Sequence, residues 1–76
     1  MIVHKQLRKL DFTREHDGWV QCFFKEERMI KIELIEDLDS DNFEIYIING
    51  MSHCFIGKTS KITDITRIVR ALEPLK

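Results

Sequence analysis

The stretch FEIYIINGMSHCFIG, residues 43–57, reads as two alternating runs on either side of Asn49-Gly50. Asn-Gly between such runs is a strong hairpin signal, because both residues accept the positive φ that a type I′ turn demands. A two-residue turn there sets Ile48 opposite Met51, Ile47 opposite Ser52, Tyr46 opposite His53, Ile45 opposite Cys54 and Phe43 opposite Ile56. Successive strand side chains point to opposite faces. One face therefore carries Phe43, Ile45, Ile47, Cys54 and Ile56, apolar enough to be core. The other carries Glu44, Tyr46, Ile48, Met51, His53 and Phe55 and is amphipathic. Function is expected on that second face or in the loops.

Upstream, MIKIELIE (residues 29–36) alternates, with Ile30, Ile32 and Leu34 on one face and Lys31 and Glu33 on the other. WVQCFFK (residues 19–25) is rich in β-branched and aromatic residues and also reads as a strand. Glu26-Glu27-Arg28 is the expected turn between them. A three-residue loop puts Val20, Cys22 and Phe24 beside Ile30, Ile32 and Leu34, whereas a two-residue loop puts Trp19, Gln21 and Phe23 there. The first is preferred because it keeps Gln21 out of the core. The polar run DLDSDN (residues 37–42) is a connection, and residues 13–18, including Arg14, Glu15, His16 and Asp17, read as a loop punctuated by Gly18.

Val3, Leu7 and Leu10 favour a short amphipathic helix at the start, though a strand also fits, with Asp11 and Phe12 ending it. Downstream, Ser60 is an expected N-cap for a helix whose stripe is Ile62, Ile65, Val69 and Leu72, widened by Ile68 and Ala71. Asp64 in its first turn and Arg67 and Arg70 in its last turns complement the helix dipole, and Pro74 stops it. The expectation is a single α+β domain over residues 1–76. It comprises a four-stranded antiparallel β-meander, a C-terminal helix packed on one face, and a short N-terminal helix beside it or at an edge.

Composition narrows the function. A chain of 76 residues has a small core in which a deep active site is hard to build. The net charge of −1 argues against a general nucleic-acid binder, so direct nucleic-acid binding is not the leading expectation. No apolar run approaches the ~18 residues of a membrane span, and the opening MIVHKQLRKL lacks the apolar core of a secretory leader. Cys22 and Cys54 show neither CxxC spacing nor a disulfide framework, and read as buried free thiols in a reducing cytoplasm.

Six carboxylates and no basic residue lie between Glu33 and Glu44. Asp37, Asp39 and Asp41 imitate the first positions of a calcium loop, but Asn42 stands where its glycine belongs and Ile48 where its bidentate glutamate belongs. The run reads instead as a solvated acidic turn or a patch that docks on a basic partner. His4, His16 and His53 have no metal-ligand spacing, and His53 and Cys54 point to opposite faces of a strand. Ser52 lacks a nucleophile elbow, and Gly18, Gly50 and Gly57 are isolated. No catalytic, metal-ligating or cofactor-binding residue is expected, and the chain is read as non-enzymatic.

The amphipathic face, with Tyr46, Ile48, Met51 and Phe55, is joined by Phe23, Met29 and Ile35 in the preferred register. Either the N-terminal segment covers it, or it is a partner or self-association surface, with a homodimer as the default. Lys5, Arg8 and Lys9 near the start and Lys58, Lys61, Arg67 and Arg70 near the end form a modest basic patch if the two ends pack side by side.

The order LRKLDF, GWV, IKIEL, FEIYI, FIG and a final IxxIxxIVRAL resembles small proteins of unknown function carried by bacteriophages and mobile elements. The resemblance spans nearly the whole chain, and its motifs are hydrophobic punctuation. It implies a setting in which compact proteins, anti-CRISPR inhibitors among them, bind a host protein. The expected function is thus a cytoplasmic protein-binding module, a phage-borne inhibitor of a host defence nuclease. Asp37, Asp39, Asp41 and Glu44 would compete for a basic surface, and Tyr46, Ile48, Met51 and Phe55 would supply apolar anchors. The alternative is a small nucleic-acid-binding regulator using the basic terminal segments.

Overall fold

The computed structural model describes residues 2–16, 18–25, 27–37 and 39–72; Asp17, Glu26 and Pro74, named above, lie outside them. The elements are α1 (His4–Lys9), β1 (Thr13–Glu15), β2 (Gly18–Lys25), β3 (Arg28–Glu36), β4 (Phe43–Asn49), β5 (Ser52–Thr59) and α2 (Ile62–Leu72). The strands form one antiparallel sheet in the order β1-β2-β3-β4-β5. The α+β meander with a helix at each end is as expected, but among the described residues it has five strands rather than four. The additional strand, β1, lies in the segment read as a loop. Its residues Thr13, Arg14 and Glu15 are all exposed, so no apolar alternation announces it; backbone pairing to Gly18–Val20 makes it a strand.

α1 is short and depends on its ends. Gln6 Oε1 accepts the Val3 N–H at 3.0 Å, satisfying one of the free donors at the helix start. At the other end Asp11 takes φ +67, its N–H reaches the Arg8 carbonyl and the Phe12 N–H reaches the Leu7 carbonyl, each at 3.0 Å. That is a Schellman arrangement, and the apolar contact it favours, between Leu7 and Phe12, is buried in the core. Ile2 rather than Val3 completes the inward side of this segment; Val3 is exposed.

Lys25 pairs with Arg28, so β2 and β3 are joined by two residues, with Glu27 at φ +66. This overturns the preferred three-residue loop. Trp19, Gln21 and Phe23 face the helices, and Val20, Cys22 and Phe24 face away. Burying Trp19 and Phe23 removes more apolar surface from water than burying Phe24 and Cys22 would, and Val20 is buried even on the far face. That gain outweighs admitting Gln21, whose Oε1 is left buried without a partner.

The hairpin register also moves. Asn49 pairs with Ser52, so the turn residues are Gly50 and Met51, not Asn49 and Gly50. Gly50 has φ +62 and is the first central residue, the position where a type II′ turn demands glycine. The pairing slides by two relative to the expected one, placing Ile47 opposite Cys54 and Tyr46 opposite Phe55, and a slide of two leaves the faces unchanged. A bulge at Ile56 then breaks the alternation. Gly57 pairs with Ile45 and Thr59 with Phe43, while Ile56 has no partner and is exposed.

α2 presents Ile65 and Val69 to the sheet, with Ile62, Ile68 and Leu72 packed against the same core; Ala71 is exposed. Its N-terminus is organised by Thr59 rather than Ser60. The Thr59 hydroxyl accepts the Lys61 N–H at 3.0 Å and donates to Asp64 Oδ2 at 2.6 Å. Both helices lie on one side of the sheet. Ile2, Leu7, Phe12, Ile65 and Val69 share a single core cluster with Trp19, Phe23, Ile32, Leu34, Phe43 and Ile45. α1 is held over Trp19: the His4 ring lies 5.0 Å from the indole, and the Arg8 and Arg14 guanidinium groups lie 5.6 and 5.4 Å from it. Glu36 ties His4 and Arg14 together, at 3.6 and 3.8 Å.

Candidate protein-docking face

With both helices on one side, the second face of the sheet is left open. Strand alternation places Val20, Cys22 and Phe24 of β2, Met29, Lys31, Glu33 and Ile35 of β3, Glu44, Tyr46 and Ile48 of β4, and His53 and Phe55 of β5 there. Phe24, Met29 and Phe55 are 69%, 51% and 54% exposed, values far from those of a covered layer. The N-terminal segment therefore does not cover this face. Phe24, not Phe23, joins the patch, as the reversed β2 register requires.

Tyr46 is the centre. Its ring lies 5.4 Å from that of Phe55 and 5.0 Å from that of His53, both inclined as aromatic quadrupoles prefer. Its hydroxyl donates to Glu44 Oε2 at 3.4 Å. Partial burial, chiefly, and then the nearby Glu44 and Glu33 carboxylates push the phenol above its ordinary value of 10.0, so it stays a neutral donor well into alkali. Lys31 Nζ lies 3.7 Å from Glu15, and His53 Nε2 lies 3.6 Å from Glu33. Between β3 and β4, toward the hairpin end, a shallow hollow of about 460 Å³ is lined by Arg28, Met29, Lys31, Ile48, Asn49 and Gly50. A smaller one of about 180 Å³ lies at the other end of the sheet, beside Val20, Glu33 and Ile35.

The structure brings Glu44, Tyr46, Ile48 and Phe55 together and separates the other four expected contact residues. Met51 is a fully exposed turn residue at the hairpin tip. Asp37, Asp39 and Asp41 lie in the loop that enters β4, near Glu44 but about 20 Å from the hairpin tip at the other end of that seven-residue strand. Asp37 is occupied by the loop itself. Its Oδ1 accepts the Asp39 N–H at 3.0 Å, its Oδ2 accepts the Ser40 hydroxyl at 3.1 Å, and Lys58 Nζ lies 3.9 Å away. These bonds, the Asp39 N–H first, hold its carboxyl below the ordinary 3.8. Asp39 and Asp41 are exposed. Among the described residues no group of three or more His, Cys, Asp or Glu is placed to hold a metal ion.

Cys22 and Cys54 are free but exposed, not buried as expected. The β2 register turns Cys22 onto the open face, opposite Lys31. Cys54 is on the helix side, on the outermost strand, and its Sγ lies 3.4 Å from the Ser52 hydroxyl. Sequence reasoning missed Phe24 and Cys22 as members of the open face; the signal available was the bulk of Trp19 and Phe23 set against one glutamine.

Comparison with family models, with characterised proteins and with solved structures gives no match to the chain. Among the described residues no helix is long and apolar enough to cross a membrane.

Proposed function

We propose that the chain is a non-enzymatic protein-binding module whose open sheet face is its contact surface. The observation that supports this is the placement of both helices on one side, which leaves Phe24, Met29 and Phe55 exposed and Tyr46 and Ile48 half-buried on the other. A contiguous apolar face rimmed by charge marks an interaction site more often than a free surface, and buried aromatic anchors dominate such contacts. A photo-crosslinker placed at Phe55 should capture a protein partner, whereas one at Arg67, exposed on α2, should not. Equal yields from both positions would sink this reading.

The narrower proposal, following the resemblance, is an inhibitor of a host defence nuclease. It is supported by the exposed carboxylates of Asp39 and Asp41, beside a strand that starts with Phe43 and Glu44. In this reading Asp37 shapes the loop rather than touching the target. Asp39→Lys with Asp41→Lys should abolish inhibition of a nuclease while leaving the fold intact, and unchanged inhibition would exclude the loop from the contact.

A further inference from the structure

Three properties of the open face bear on what covers it. Each of its carboxylates has a contact within the chain, Glu15 with Lys31, Glu33 with the His53 ring and Glu44 with the Tyr46 hydroxyl. It carries both protrusions, Phe24 and Phe55, and hollows, one beside Met29 and Ile48 and one beside Val20 and Ile35. Its size is also right. Strands about 4.8 Å apart and about 3.4 Å per residue make a five-stranded sheet of this length about 600 Å² in projection, and more once corrugation is counted. A standard interface removes about 800 Å² from each partner. A surface bearing the same apolar side chains, the same protrusions and the same hollows matches it in size and in kind.

We infer that the occupant is a second copy of this chain. The inference rests on the reading of the open face as a protein contact. Two sheets stack open face to open face about a two-fold axis, giving a β-sandwich with the helices outside. Such an isologous contact requires one surface to hold both the protrusions and the hollows they fill. It also sets apart the two thiols, both exposed in the single chain. Cys22, on the open face, becomes enclosed, while Cys54, on the helix side of the edge strand, stays outside.

The test combines molar mass with thiol labelling. Light scattering from micromolar to millimolar concentration should show the mass rising from 9.1 kDa to twice that value. In Cys54→Ser protein the labelling rate of Cys22 should fall with concentration in step with the monomer fraction. In Cys22→Ser protein the labelling rate of Cys54 should not change. Ile48→Lys with Phe55→Lys should give a monomer with the circular dichroism of the wild type and a Cys22 that is reactive at every concentration. A monomeric wild type with a folded double variant overturns the second copy and leaves the face available to another protein. A monomeric wild type whose double variant unfolds makes the face core and overturns both readings. A dimer that protects Cys54 instead of Cys22 assembles through the β5 edge and also overturns the inference.

Discussion

A Cβ added at Gly18 would lie 2.5 Å from the Leu34 carbonyl oxygen, a backbone atom in the middle of the sheet that has nowhere to go. At Gly50 a Cβ meets nothing within 4 Å, but the backbone sits at φ +62. The two glycines are thus needed for different reasons, close approach in one case and conformation in the other. Gly18→Ala should destabilise the fold by about 2–3 kcal/mol through overpacking, and Gly50→Val by about 1–3 kcal/mol through backbone strain. Urea denaturation of both variants checks this, and wild-type stability at Gly18→Ala would contradict the β2–β3 packing. The need for glycine at position 50 was legible in the sequence; that at position 18 was not, because it depends on how closely a neighbouring strand passes. Asp37 gives a pH signature. Its carboxyl is held below 3.8 in the folded chain, so its stabilisation is fully present above that value and is lost as pH falls through the lowered one. Asp37→Asn should weaken the fold at neutral pH and flatten the decline below about pH 4 in thermal melts taken across that range.

Neighbouring aromatics on β2 report the register of that strand. Phe23 is buried among the helices and Phe24 is 69% exposed. Phe23→Ala should destabilise by about 3–5 kcal/mol, and Phe24→Ala by no more than about 0.5 kcal/mol in dilute, monomeric protein. The reverse order would restore the three-residue loop. At α2, Thr59→Val keeps the shape but removes the hydroxyl that bridges Lys61 and Asp64, and should lower the melting midpoint by the equivalent of about 1 kcal/mol. The elements with periodic apolar residues, β3, β4 and α2, were all legible in the sequence for the same reason: one buried face imposes a period. β1 was not, because an edge strand held only by backbone bonds leaves no trace in Thr13-Arg14-Glu15. Nor was the bulge at Ile56, since an extra residue in one strand alters pairing without altering composition.

In the whole molecule, the division into an apolar face toward the helices and an amphipathic face away from them followed from strand alternation alone, which is why Tyr46, Ile48 and Phe55 could be grouped in advance. The placement of Asp39 and Asp41 at the opposite end of β4 from the hairpin tip was legible too, since the loop precedes that strand and the turn follows it. The side chosen by the N-terminal helix was not, since Leu7 and Leu10 would serve on either face; the aromatic surface of Trp19, turned inward by the β2 register, decides it. That arrangement has an optical consequence. Trp19 is the only tryptophan in the chain, and its indole lies beneath His4, Arg8 and Arg14. Its emission spectrum therefore records the undocking of one short segment. A red shift that precedes loss of the far-ultraviolet signal would mark α1 as the first part of the molecule to leave, with the sheet still assembled.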